Sequence, residues 1–317
     1  MTCVPDYQRL IDAETWDFIR ATGTWYPPET ASAPIDRQRA IYDAMCRAFH
    51  RGYPPGLSVR DETLAGVRCR IYEGAREAAA TVLYLHGGGF VVGGLESHDD
   101  VAAEIAERTG CRLVSADYRL APEHVHPAQF DDCRAVLSEV ARRWPGRILV
   151  AGDSAGGNLA AALCHQARDR GGPPVAGQVL IYPGLGGDIE SGSYLTHARA
   201  PMLTRDDILF YQSVRYAGGR VPAADPTSQP LRDTDFAGLP PTLIHSAECD
   251  PLCDDGPAYA AHIRAAGGQA LCIVDRGLVH GWLRARRTVG RAGAAFDQIV
   301  QAIAALARGR VPWASAP

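Results

Sequence analysis

Short apolar runs recur through the middle of the chain, and amphipathic stretches fill the gaps between them. Val67–Tyr72, Thr81–His86, Arg112–Asp117, Arg147–Gly152, Gln178–Tyr182, Thr242–Ala247 and Ala270–Asp275 read as strands, with an earlier one over Leu57–Glu62. Helical spacing marks His98–Thr109, Phe130–Arg143, Ser154–Arg170, Asp255–Ala266 and Ala292–Ala307. Val101 with Ile105, and Ile299 with Ile303 and Leu306, share single faces of such helices. Strand and helix in alternation predict an α/β fold, a mostly parallel eight-stranded sheet with helices on both faces. The first two strands precede the crossovers and are expected to pair antiparallel.

Two segments break the rhythm. Residues 1–55 are helical in pattern and carry Trp16, Phe18, Trp25 and Tyr26 ahead of the sheet. Residues 184–239 follow Ile181-Tyr182-Pro183 and hold one helical stretch, Thr204–Tyr216, among many Gly, Pro and Asp. That is too long for an ordinary connection. The expected division is an α/β core of residues 56–183 and 240–317 under a helical cap made from 1–55 and 184–239.

Composition narrows the function. A length of 317 residues suits one large domain or two modest ones. The net charge of −4, with no block of either sign, leaves no nucleic-acid footprint. The 32 basic residues are all Arg, which excludes chemistry built on a Lys Schiff base or a P-loop lysine. No run reaches the length of a membrane span, and the first residues lack a basic stretch followed by an apolar one. A cytoplasmic location without membrane partners is the expectation. The nine cysteines (3, 46, 69, 111, 133, 164, 249, 253 and 272) are scattered and never form C-x-x-C, so reduced, mostly buried thiols are expected. No metal or cofactor is implied.

Two glycine-rich runs carry the chemistry. Gly152-Asp153-Ser154-Ala155-Gly156-Gly157 follows an apolar run and opens a helix. This is the G-x-S-x-G spacing of a nucleophile elbow, a strained strand-to-helix turn that holds a serine hydroxyl exposed. The helix N-terminus adds positive potential where an oxyanion would form. Alone, the run is equally a serine N-cap on a glycine-rich turn. A second motif shifts the balance: His86-Gly87-Gly88-Gly89-Phe90 also follows a strand, and glycines there let amides face a site with no Cβ in the way. Val92 stands where a third glycine of G-x-G-x-x-G would be, which argues against a dinucleotide site. His86 is expected to orient the loop by hydrogen bonding.

Such elbows take their partners in the chain order serine, acid, histidine. The acid belongs just past the strand after the long insertion, where Asp250 is preferred with Glu248 as rival. The base belongs past the last strand, where His280 is the only histidine after His262.

These runs resemble the bacterial hormone-sensitive-lipase-like (family IV) carboxylesterases of the α/β-hydrolase superfamily. The resemblance spans about residues 65–285 and rests on His86–Phe90, Asp117–His124, Gly152–Gly157, Asp250–Asp255 and His280-Gly281-Trp282. It implies a triad of Ser154, Asp250 and His280, and an oxyanion hole from the amides of Gly88, Gly89 and Ala155. It also implies a cap over an α/β-hydrolase core, short to medium acyl esters as small-molecule substrates, and a homodimer formed through a sheet edge. Two stretches depart from the family pattern, Val125-His126-Pro127 and Arg276–Val279. Arg119 and Glu123 are expected to pair beneath the glycine loop. Apolar pocket candidates are Phe90, Tyr182, Tyr194, Leu203, Phe210, Tyr211 and Trp282, with Trp25 and Tyr26 closing from the cap. Amide, lactone or acetyl-group hydrolysis by the same triad stays open, as does a ligand-binding protein on a hydrolase fold.

Overall fold

The structure, a computed structural model, describes residues 5–313; Cys3 lies outside them. Eight strands form one sheet: β1 (Ser58–Leu64), β2 (Val67–Glu73), β3 (Thr81–Leu85), β4 (Arg112–Ala116), β5 (Ile148–Asp153), β6 (Gly177–Ile181), β7 (Thr242–Cys249) and β8 (Ala270–Val279). Their order is β1-β2-β4-β3-β5-β6-β7-β8. The hairpin of β1 and β2 is antiparallel, β2 meets β4 antiparallel, and every other pair is parallel.

Among the described residues ten α-helices surround it: α1 (Tyr7–Leu10), α2 (Ala13–Gly23), α3 (Ile35–Phe49), α4 (Asp99–Thr109), α5 (Ala128–Arg143), α6 (Ala155–Asp169), α7 (Gly192–Thr196), α8 (Arg205–Arg215), α9 (Asp255–Ala265) and α10 (Gly290–Ala307). Alternate residues of the central strands feed two cores. Val82, Tyr84, Leu149, Ala151 and Val179 meet α4 and α10 on one face. Leu83, Leu85, Val150, Leu180 and Ile244 meet α5, α6 and α9 on the other. Burial on both faces explains why these strands read as near-continuous apolar runs.

The parallel register aligns the C-terminal ends of the strands. Leu85 pairs with Gly152, Asp153 with Ile181, Ile181 with His245, and Cys249 with Val279. In open α/β sheets ligands gather at that edge. Two strands run further than their sequence suggests. The sequence reading ends the last strand at Asp275 and leaves Arg276–Val279 as a loop, yet β8 continues through that loop to Val279, and β7 continues to Cys249 past a bulge. The side chain of Glu248 stitches the extensions together by accepting from the Gly277 amide at 2.7 Å. The overrun delivers Asp250 and His280 directly from strand ends.

Candidate active site

The nucleophile turn is the tightest point of the sheet edge. Ser154 sits at φ 53°, ψ −117° between β5 and α6, a sparsely populated region for a residue with a Cβ. The backbone of α6 lies so close to β3 that a Cβ on Gly156 would collide with the Leu85 carbonyl.

His280 Nε2 lies 2.9 Å from Ser154 Oγ, and His280 Nδ1 lies 2.6 Å from Asp250 Oδ2. Asp250 is fully buried, and its other oxygen accepts from the Leu252 amide at 2.9 Å. Glu248, the rival acid, is committed to Gly277 instead. The structure therefore brings Ser154, His280 and Asp250 into one hydrogen-bonded line from three strand ends.

The glycine run forms a turn in which the Val91 and Val92 amides both donate to the Gly88 carbonyl at 3.0 Å. Gly88, Gly89 and Ala155 line the same cavity as Ser154. His86 Nδ1 bonds the Gly87 carbonyl at 2.8 Å, and its ring stacks on Tyr118 at 4.2 Å. Burial, reinforced by the neighbouring His98, pulls the His86 pKa down to about 4 and keeps the ring neutral.

Sequence reading missed two buried acids that hold the loops. Asp153, the residue before the nucleophile, accepts from the Gly87 amide at 3.0 Å and Tyr84 Oη at 2.8 Å, and meets His98 Nε2 at 3.1 Å. Burial opposes its charge, but His98, Arg284 and Tyr84 prevail and hold its pKa below the ordinary aspartate value. Asp255 accepts from the Leu185 amide at 2.6 Å and Tyr194 Oη at 3.1 Å, anchoring the chain that leaves β6. Burial pushes its pKa up to about 6. An aspartate ending an apolar strand was the available signal for the first; nothing local marks the partners of either.

The cavity over Ser154 has a volume of about 780 Å³. Phe90, Tyr182, Tyr194, Leu203, Phe210 and Tyr211 line it, as does Tyr26. Trp282 does not: it is 0% exposed, packed beneath the wall with its ring 5.8 Å from that of Tyr182, because the turn after His280 points it back into the core. Trp25 is also absent from the lining and is 42% exposed. Arg119 and Glu123 do not pair. Arg119 is held by both oxygens of Asp132, and Glu123 instead takes both terminal guanidinium nitrogens of Arg39 on α3.

The fold defines an α/β hydrolase. Residues 82–284 match a family described as alpha/beta hydrolase fold. The chain belongs to the hormone-sensitive-lipase-like family of α/β hydrolases. It is 38% identical over 275 residues to the carboxylesterase NlhH of Mycobacterium tuberculosis, covering 78% of this chain and 85% of that one. It is 34% identical over 236 residues to an ethyl acetate hydrolase of Pseudomonas putida, covering 71% and 73%. Among solved structures a bacterial heroin esterase superposes with a TM-score of 0.84 at 32% identity, covering 95% of this chain and 98% of that one.

Proposed function

We propose that the chain is a serine carboxylesterase that cleaves short to medium acyl esters through an acyl-enzyme. The hydrogen-bonded line Ser154–His280–Asp250 at the floor of an apolar cavity carries this reading. His280 Nε2 takes the Ser154 proton as Oγ attacks the ester carbonyl carbon. Asp250 fixes the imidazole tautomer and stabilises the imidazolium. The amides of Gly88, Gly89 and Ala155 receive the oxyanion; one such donor is worth about 3 kcal/mol. His280 then gives its proton to the leaving alcohol, and water repeats the cycle on the acyl-serine.

The division into core and cap follows the cavity walls. Ile19, Thr22, Tyr42 and Met45 come from residues 1–55, and Tyr194, Leu203, Phe210 and Tyr211 from 184–239. Eight free thiols among the described residues support a reducing compartment. Self-association has a seam at the outer edge of β8, where Val274 is exposed; sedimentation velocity tests it. No helix among the described residues is long and apolar enough to cross a membrane.

A rate series on p-nitrophenyl esters from acetate to palmitate tests the function. A maximum at short or medium length supports it. No turnover at any length, with Ser154 unlabelled by a fluorophosphonate, overturns it.

A further inference from the structure

The cavity wall holds a positive charge that no acid of the described chain answers. Three arginines are buried: Arg70, Arg215 and Arg286. Arg70 meets Asp61, Glu96 and Asp99, and Arg286 meets Asp100 and Glu104. Arg215, the last residue of α8, forms no ion pair among the described residues although it is only 4% exposed. Its Cζ lies 3.5 Å from the centroid of the Phe90 ring. Nη2 donates to Asn158 Oδ1 at 3.2 Å, Nη1 reaches the Ser228 carbonyl at 3.4 Å, and Nε has no partner. The acid that bears on its charge, Asp225, is bonded to His126 at 3.0 Å and to Thr227.

A buried guanidinium without a counter-ion and with an unpartnered Nε is costly, and a carboxylate at Nε would complete it. Arg215 lines the cavity with Phe90, Asn158 and Ser228. Asn158 sits one helical turn past the nucleophile, its amide donating to the Ser154 carbonyl at 3.1 Å. The guanidinium is therefore held by a side chain one turn of α6 beyond Ser154, in the cavity that Ser154 also lines. The acids in the same wall do not compete for it. Asp153 is bound inward by Tyr84 and Gly87, Asp207 caps α8 through Thr204, and Asp206 is exposed. Arg284, on the His280 side of the cavity, adds a second cation that also lacks an ion pair among the described residues; it donates to Tyr42 Oη at 2.5 Å and Cys46 Sγ at 3.3 Å.

We propose that Arg215 recognises a carboxylate carried by the substrate, so that the preferred esters are anionic: half-esters of short dicarboxylic acids, or short acyl esters of hydroxy acids. The inference rests on the ester-hydrolase reading and narrows it. Guanidinium and carboxylate match as a forked, charge-assisted pair, which an ammonium does not reproduce.

The test compares monoethyl glutarate with ethyl pentanoate, and 3-(butyryloxy)propanoate with propyl butyrate, by pH-stat on the whole chain. One anionic ester of a pair is expected to exceed its neutral match at least tenfold in kcat/KM. Arg215→Met is expected to cut that ratio at least tenfold, mainly through KM, and Arg215→Lys to restore part of it. A second measurement needs no variant: glutarate should inhibit p-nitrophenyl butyrate cleavage by the unaltered protein at least tenfold better than glutaramide. Neutral esters cleaved as well as both anionic ones, with glutarate no better than glutaramide, overturns the inference and leaves the esterase reading standing. No ester cleaved and no label on Ser154 overturns both.

Discussion

Ser154 pays no attention to its own backbone preference: φ 53°, ψ −117° costs on the order of 1–3 kcal/mol. The surrounding turn enforces it, and the result is an Oγ presented to His280 Nε2. Ser154→Ala is expected to lower kcat by about 10⁴-fold or more while circular dichroism and the melting temperature hold; activity within tenfold of the parent would refute the assignment. His86 gives a prediction of a different kind. Its pKa is about 4 when folded, against 6.5 unperturbed, so in that window the unfolded chain binds the extra proton. Stability from this residue is complete above pH 6.5 and is lost as pH falls toward 4, by about 2 kcal/mol between pH 7 and pH 5. Asp255, raised to about 6, works in the opposite direction over nearly the same window. Urea unfolding at the two pH values should therefore compare the parent with His86→Gln, whose acid-side loss is expected to be smaller. At this scale the hydrogen-bonded line of Ser154, His280 and Asp250 was legible because short motifs and chain order locate the three residues. Asp153, Asp255 and Arg215 were not, because their meaning lies in partners tens of residues away.

Elements succeed here through close approach rather than bulk. Helix α6 crosses β3 and β5 at glycine contact, with Gly156 against the Leu85 carbonyl and Gly157 facing Pro183. Gly156→Ala must separate the helix from the strand and is expected to cost about 3 kcal/mol in urea unfolding; a loss below about 0.5 kcal/mol would show the contact to be slack. Strand positions were readable from apolar runs, and their ends were less so. Arg276 and Gly277 fall in a stretch the sequence leaves as loop, but His245 binds Asp275 at 3.0 Å and Glu248 binds the Gly277 amide, which carries β8 on past Asp275. Side-chain tethers of that kind leave no periodic trace.

In the whole molecule, side-chain bonds tie the two segments outside the sheet to each other and to the core. Tyr7 Oη bonds His197 Nδ1 at 3.1 Å, joining residues 1–55 to 184–239. Arg39 reaches down from α3 to the Val91 and Ala121 carbonyls at 2.8 and 2.9 Å and forks onto Glu123. Glu123 is half exposed, so that ion pair is worth less than about 1 kcal/mol. The carbonyls are less accessible and belong to the loop next to the glycine turn. Arg39→Ala is therefore expected to raise KM several-fold and lower stability by about 2 kcal/mol, whereas Glu123→Ala stays within about 1 kcal/mol of the parent. Equal effects from the two variants would show that the ion pair, not the carbonyl bonds, seats the helix. The break in strand–helix rhythm marked both segments in the sequence; which core loop each one grips was visible only in the structure.

The order of strands also sets an order in time. From β5 outward, sheet order and chain order coincide, so β5, β6, β7 and β8 are added from the centre to the edge as the polypeptide is made. His280 follows Ser154 by 126 residues, an interval of about 6–25 s at ordinary rates of synthesis. Through that interval a growing chain can hold its serine and its glycine loop but has no group to take the proton. On the proposed mechanism hydrolytic capacity arrives in one step, when the edge strand docks and brings His280 to Ser154.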